Sequence, residues 1–524
     1  MALAGYFEKV ALSAQSVLAN FDLTGFRETL ENQVLQVRFG SDAITAEGRR
    51  TLELLTDLVA RLFPRVQLSA ASEAASIVPA LADRARQINR LVTIEESGPP
   101  TLTIVVGQVV SERADRTLFT GSDGWLCHAS TEAPVPCGNS ENPFGAGMSA
   151  CLAAAWAFRE TFAAQLSTKR GVRERVSLSM LDLSCGESAT NPRWKPVDIG
   201  VSHLVGVGAI GHATLWGLSG CGGLSGTLYL IDGERLELSN LQRYVGTAET
   251  DVGLPKPDLA ARMLRRFCNL RTVPVRQHWE PFVAEHETPI DRVLLALDSA
   301  ESRIRVQSSL PRWIANAWTQ PENIGVSRHG SLLDDPCVAC LYMPAMQSKN
   351  LDQLVAQSIG FTSESEIREV RMLLHTGRPV GREFLERICE KNTAPLEAVL
   401  GFANEPLASF YARGICGGLL LPFIANGQAA PVQVPMAFQS AAAGLLLASE
   451  LVADAGNLRA RQLPARSELD LLRGIGFAQH PHSHAVKNSS GRCICQDDVF
   501  RSVYISKWGL ERGAQLSIAE RSTA

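Results

Sequence analysis

The stretch HLVGVGAIGHATLWGLSG, residues 203–220, decides the fold. An apolar, strand-like run enters three glycines spaced GxGxxG (Gly206, Gly208 and Gly211) and leaves them as a helical pattern. Glycines there let the backbone approach a phosphate, and the helix that follows aims unpaired N–H groups at it. Taken alone, the spacing fits a tight turn equally well. The next apolar run, TLYLID, supplies context. It reads as a second strand and ends in Asp232, about 20 residues beyond the glycines, where a carboxylate accepts hydrogen bonds from ribose hydroxyls. An α/β unit that holds a nucleotide is expected.

An NAD-dependent dehydrogenase shares all of this, so the polar residues further on must separate the alternatives. They are Glu234, then Ser239-Asn240-Leu-Gln-Arg243, then Lys256, then VLLALD, a buried strand ending in Asp298. Hydride transfer has no need of an asparagine and two cations converging on the nucleotide with a further carboxylate at a strand end. Phosphoryl-group chemistry does. Cations offset charge developing on an α-phosphate and its departing pyrophosphate, and Asp298 offers oxygen ligation to Mg²⁺. As single residues, Arg243 and Lys256 fit a solvated surface pair and Asp298 a strand-end cap; their order and spacing favour the nucleotide.

Together, GVGAIG, IDGERLELSNLQR, GLPK and ALDSAESR resemble the adenylation domain shared by ubiquitin-activating enzymes and the bacterial thiamine- and molybdopterin-pathway adenylyltransferases, the ThiF type. The resemblance runs from about 196 to 345 and resumes from about 411 to the end. It implies that Asp232, Asn240, Arg243, Lys256 and Asp298 bind ATP and Mg²⁺. Glu234 stands where Asp is more usual. The implied fold is α/β: a Rossmann-like adenylation domain at 196–348 plus 411–524, preceded by a degenerate, inactive adenylation-like domain at 1–195 and interrupted by a helical insertion at 349–410.

Two thiol pairs stand far apart in the chain, Cys337-Val-Ala-Cys340 and Cys493-Ile-Cys495. Four thiolates satisfy tetrahedral Zn²⁺, and such a knot would tie the C-terminal tail to the domain. Buried small hydrophobes are the plainer alternative. The CxC half departs from the CxxC usual in the family, and His480, His482 and His484 stand nearby as substitute ligands. Cys416, in Arg-Gly414-Ile-Cys416-Gly417-Gly418, falls where the family places its crossover-loop cysteine, which takes the activated carboxyl group as a thioester. An acyl-adenylate carries a good leaving group, so a partly ionised thiol in a glycine-flanked loop needs no triad. Cys389 is the rival nucleophile, although its place in an amphipathic helix pattern favours packing. Cys221 and Cys268 read as core.

The N-terminal region alternates helical and strand-like patterns but has no complete phosphate-binding glycine motif. It resembles the inactive half of fused activating enzymes and would then replace the second subunit of a homodimer. Arg38, Arg49 and Arg50 lie early enough to reach across such an interface. A partner-docking domain is the alternative. The segment from Lys349 to about Arg413 turns to charged amphipathic helices, read as a lid or a cysteine-bearing module.

Across all 524 residues, 50 Lys+Arg against 54 Asp+Glu leave a formal charge of -4, so no basic field points to nucleic acid. The start, MALAGYFEKVALSAQ, is not a secretory signal, and the apolar stretch near 418–433 is broken by Pro422 and Pro431 before reaching membrane-spanning length. A cytoplasmic location follows, with neither membrane nor nucleic acid as partner. The resemblance then implies an enzyme like those of bacterial ubiquitin-like conjugation systems in antiviral defence. Its substrates would be a small β-grasp protein and ATP, its next partner a conjugating enzyme, and its form a monomer with an internal pseudo-dimer or a homodimer. A sulfur-carrier adenylyltransferase of cofactor synthesis is the alternative.

Overall fold

The computed structural model describes residues 4–109, 116–166, 175–264, 269–286, 288–321, 323–343, 351–392, 395–411, 434–473 and 481–510. Seven N-terminal strands form one sheet: β1 (Leu35–Phe39), β2 (Arg65–Ala70), β3 (Thr93–Glu95), β4 (Leu102–Val106), β5 (Thr117–Asp123), β6 (Leu126–Ser130) and β7 (Arg175–Ser179). Their order is β3-β2-β1-β4-β5-β6-β7, parallel through β5 and antiparallel beyond it.

The second sheet comprises β8 (Asp198–Val205), β9 (Ser225–Ile231), β10 (Arg271–Val275), β11 (Arg292–Leu295), β12 (Trp313–Thr319), β13 (Ile324–His329), β14 (Arg466–Leu469) and β15 (His482–Ser483). Its order, β10-β9-β8-β11-β12-β13-β14-β15, repeats the first sheet strand for strand and adds one edge strand. The switch from parallel to antiparallel again falls after the fifth strand. The helices repeat as well. β1 leads into helix Ala46–Leu62 as β8 leads into Ala209–Ser219, and helix Phe144–Thr161 joins β6 to β7 as Ala437–Ala455 precedes β14.

The sequence explains why the two halves share one core. A helix facing water on one side carries an apolar stripe, whereas FGAGMSACLAAAWAFRET, AIGHATLWGLS and AFQSAAAGLLLASELVADA are small or apolar nearly all round, the pattern of helices buried on every side. They pack on one another, and the core is continuous across both sheets. Small residues set how closely they pack: a Cβ on Gly444 would stand 2.5 Å from the Cβ of Ala213. Helix Ala437–Ala455 stops at Gly456, its C-cap.

Residues Pro344–Val434 form a separate compact unit between β13 and helix Ala437–Ala455. Its helices are Leu351–Ser358, Glu364–Thr376, Arg382–Asn392 and Leu407–Phe410, around a small core of its own that includes Phe361, Phe384, Leu385, Ile388 and Phe410. Ser363 and Glu366 close a capping box at the start of the second helix, and Gly377 ends it in the left-handed conformation. Among the described residues, no helix is long and apolar enough to cross a membrane.

Candidate adenylation site

In doubly wound sheets, ligands bind at the carboxyl ends of the strands where the strand order reverses. Here that point lies between β8 and β11. Gly206 leaves β8 with φ 88, and a Cβ there would stand 2.6 Å from the Ala296 carbonyl oxygen just past β11, so conformation and crowding both demand glycine. A Cβ on Gly211 would likewise stand 2.4 Å from the Gly206 carbonyl. Helix Ala209–Ser219 has Gly208 at its N-cap and no side-chain cap, which leaves its first N–H groups facing the strand ends.

Asp232 follows β9. One carboxylate oxygen accepts the Val207 N–H at 2.8 Å inside the glycine loop, and the other accepts the Glu234 N–H at 2.8 Å. Lone pairs remain on both oxygens for ribose hydroxyls. Burial raises the Asp232 pKa, opposed by the nearby Lys256 ammonium. Lys256 opens helix Lys256–Leu264, is 4% exposed and pairs with the exposed Glu234. Burial disfavours its charged form, but Tyr244, Glu234 and Asp232 outweigh that and raise its pKa, so the ammonium is held charged beside the glycine loop. Asn240 is committed locally: its Oδ1 accepts the Glu237 N–H at 3.1 Å and caps the turn Leu238–Gln242.

Arg243 follows that turn. Burial lowers its pKa, with Tyr244 and Asp298 opposing. Asp298 is exposed beyond the end of β11, and Ser299 after it caps helix Ala300–Ser308. Buried Arg303 holds the preceding carbonyl, Leu297 O, through Nε at 3.2 Å and reaches Ala317 O at 3.2 Å. The glycine loop, Asp232, Glu234, Lys256, Arg243 and Asp298 thus gather at one sheet end.

Two residues of the site were not foreseen. The Tyr244 hydroxyl lies 3.4 Å from where a Cβ on Gly208 would stand, and its ring is 5.4 Å from the Lys256 ammonium. His212, next to Gly211, is wholly buried against Tyr244 at 5.3 Å between ring centroids, and burial pushes its pKa down to about 3. Tyr244 directly follows Arg243 in the motif, a cue that a motif-by-motif search passes over.

The early arginines are engaged elsewhere. Arg49 Nε donates to Ile44 O at 2.9 Å, and Arg38 lies on β1. Arg50 stacks on Trp216 at 3.8 Å and donates to Ser219 Oγ at 3.1 Å, at the end of helix Ala209–Ser219 remote from the glycines. Cys221 is buried as expected; Cys268, Cys416 and His480 lie outside the described residues. Cys389 is buried in its own unit's core, and burial raises its pKa, a packing thiol by both measures.

The two cysteine pairs meet. Cys337 and Cys493 sulfurs are 3.5 Å apart, Cys340 lies 3.4 Å from both Cys493 and Cys495, and Cys337 lies 4.0 Å from Cys340. All four sulfurs fall within 4.8 Å of one another. His482 is occupied by Ser467 Oγ at 2.8 Å and Asp182 O at 2.9 Å, so the CxC pair needs no histidine to complete the cluster.

At the switch point of the first sheet the chemistry is inverted. Both carboxylate oxygens of Asp42 accept the Gln108 N–H at 2.9 Å, and one also takes the Cys137 N–H at 2.9 Å. One strand further, at the end of β5, the buried Glu47 carboxylate accepts from Ser122 Oγ at 2.6 Å, Gly124 N at 3.1 Å and Ser140 N at 2.9 Å. Thr45 caps the helix that Gly208's counterpart would leave open.

Strand order, glycine loop and the charged groups gathered at it define an α/β protein of the adenylating class. The model of the ThiF family matches residues 201–453, and that of prokaryotic E2 family C matches residues 39–163. The protein y4jF of Sinorhizobium fredii, itself uncharacterized, is 40% identical over 515 residues, 97% of this chain and 98% of that one. Human ubiquitin-like modifier-activating enzyme 7 is 37% identical over 110 residues, 19% of this chain and 11% of the human protein. The crystal structure of E. coli MccB with ATP aligns at a TM-score of 0.33 and 14% identity, covering 57% of this chain and 67% of that one. The chain belongs to the ThiF/E1-like family. Its fold supports ATP-dependent adenylation of a carboxylate.

Proposed function

We propose that this chain activates the C-terminal carboxylate of a small ubiquitin-like, β-grasp protein, as in bacterial conjugation systems of antiviral defence. The observation that carries it is the gathering of glycine loop, Asp232, Lys256, Arg243 and Asp298 at one switch point. Gly206, Gly208 and Gly211 receive the phosphates, and Asp232 takes the ribose. Glu234 holds Lys256, and Asn240 shapes the turn that carries Arg243. Asp298 holds Mg²⁺. The modifier's carboxylate attacks the α-phosphorus of ATP, pyrophosphate leaves, and Lys256 and Arg243 offset the charge that develops. The Cys416 thiolate then attacks the acyl-adenylate carbonyl, AMP leaves, and the thioester passes to a conjugating enzyme's thiol.

The N-terminal half, residues 1–195, serves as a degenerate adenylation-like partner: it keeps the strand order and fills its own switch point with carboxylates. A second possibility comes from the prokaryotic E2 match, in which that half would carry an acyl group itself. Within the matched residues 39–163, Cys127, Cys137 and Cys151 are all buried, and burial raises all three pKa values, a poor setting for a thiolate nucleophile; the exposed Cys185 lies beyond the match. The four-cysteine cluster is assigned to structural zinc. Zn–S bonds of about 2.3 Å put tetrahedral sulfurs about 3.8 Å apart, and the observed spacings bracket that value. The ion would fasten the tail at 493–495 to the helix Val338–Tyr342.

The test is ATP–pyrophosphate exchange with candidate β-grasp proteins, followed by a search for a reductant-sensitive adduct. Exchange with an adduct lost in Cys416→Ala supports both steps. Exchange with no adduct in the wild type removes the thioester and leaves a sulfur-carrier adenylyltransferase; an adduct surviving Cys416→Ala moves the nucleophile to Cys389 or elsewhere.

A further inference from the structure

One buried cluster is not accounted for by the adenylation site, although it touches it. On helix Ala46–Leu62 of the N-terminal half, Arg61 is 3% exposed. Its Nε donates to Leu241 O at 2.8 Å, and Nη2 donates to Tyr244 O at 2.5 Å and Thr247 O at 3.1 Å. Nη1 donates to Asp57 O, one turn back, at 2.5 Å. The Asp57 carboxylate accepts the Gly246 N–H at 2.8 Å and is itself clamped by Arg84 at 2.5 and 2.9 Å. Residues 241, 244, 246 and 247 are thus each held through the main chain by side chains of the other half.

Burying a guanidinium costs several kcal/mol unless its donors are matched. Here most of those donors are spent on carbonyls of an irregular segment, an arrangement whose product is a defined backbone path. That segment, 241–247, has two faces. Its carbonyls lie on Arg61, while the Tyr244 side chain lies over the glycine loop near Gly208 and beside Lys256, with Arg243 adjacent in sequence. Gly246 turns there with φ 74.

We propose that Arg61, braced by Asp57 and Arg84, is a positioning residue for nucleotide binding: it sets the 241–247 backbone so that Arg243 and Tyr244 face the phosphate-binding glycines. The N-terminal half is then a working part of the ATP site through the main chain that it holds. This rests on the nucleotide site proposed above. Lysine cannot replace the fork, because a point charge on a flexible stem cannot bridge three carbonyls in fixed geometry.

The test measures Mg·ATP binding by calorimetry on the full chain, alongside thermal unfolding, for wild type, Arg61→Met, Arg61→Lys and Arg50→Met. Arg50 is also a cation crossing between the halves, but it holds Trp216 and Ser219 at the far end of the helix. Misplacing binding groups by about 1 Å costs up to about 100-fold, so Arg61→Met is expected to raise the Kd for ATP at least about tenfold below its unfolding temperature. Arg50→Met is expected to leave the ATP affinity within about twofold, because it shares no partner with the 241–247 segment and distant sites act independently. In ATP–pyrophosphate exchange, KM for ATP rises more than kcat falls. Should Arg61→Met fail to fold, Arg61→Lys carries the comparison with the same direction of effect. Unchanged ATP affinity in a folded Arg61 variant overturns the proposal, as does equal weakening in Arg50→Met. Failure of the wild type to bind ATP overturns the nucleotide site, on which the proposal stands.

Discussion

The two halves of this chain share a strand order and differ at its reversal point. In the second sheet the crossing between β8 and β11 is lined by glycines, with Lys256 and Arg243 gathered at it; in the first, Asp42 between β1 and β4 and Glu47 at the end of β5 turn their carboxylates onto backbone N–H groups. A phosphate and a carboxylate compete for the same donors, so a chain that supplies its own anion has closed the site to another. The lesson is that the topology makes an anion-binding mouth twice, and a handful of side chains decides whether the mouth is open or internally occupied.

The largest effect that would sharpen this contrast is expected at Lys256. Removing a cation aimed at developing phosphate charge costs about 10²–10³ in rate, so Lys256→Ala should reduce ATP–pyrophosphate exchange by that factor; a loss below tenfold would mean the ammonium does not face the reacting phosphate. Next is the metal. Metal analysis should find one zinc per chain, and Cys493→Ser should lose it and lower the unfolding temperature, because the binding energy of a structural zinc is folding energy. Full stability without metal would return the four thiols to ordinary packing.

Smaller effects belong to the closed half. Glu47→Gln sets an amide N–H₂ against N–H donors that a carboxylate satisfied, at a cost of about 1–3 kcal/mol. The variant should melt a few degrees lower with an unchanged KM for ATP. A shifted KM would break the assignment of that mouth as structural.

The last effect is with pH. His203 and His212 are buried neutral, with burial pushing their pKa values down to about 4 and about 3. The unfolded chain takes up protons on histidine near pH 6.5 that the fold refuses, so stability falls as pH drops below about 6.5. Burial opposes ionisation of Glu450, but the flanking Arg328 and Arg459 prevail and hold its pKa at about 2. Its contribution is present above the ordinary carboxylate range and is lost as pH falls from about 4.5 toward 2. A melting temperature flat from pH 7 to 4.5 would contradict the histidine part.

The open mouth was legible because its parts are contiguous motifs: glycines, Asp232, Arg243, Lys256 and Asp298 each sit next to the end of a strand, a turn or the start of a helix within a short span. The cysteine pairs were legible as spacing, while their meeting across some 150 residues of chain needed the fold. The closed mouth was not legible. Asp42 and Glu47 sit in GSDAITAEGRR, which reads as a helix start with ordinary first-turn acids, and nothing local says that the carboxylates turn inward onto Gln108, Cys137, Gly124 and Ser140. Arg61 was hidden for the same reason, since RTLELLTDLVARL is an amphipathic helix whose last-turn arginine would be placed in solvent, and the carbonyls it holds lie 180 residues or more away.

The most direct measurement is the stoichiometry of Mg·ATP binding by calorimetry on the intact chain. One nucleotide per chain is expected, bound more weakly by Lys256→Ala and with unchanged affinity by Glu47→Gln. Two nucleotides per chain, or one whose affinity Lys256→Ala leaves unchanged, would contradict a single open site in the C-terminal half.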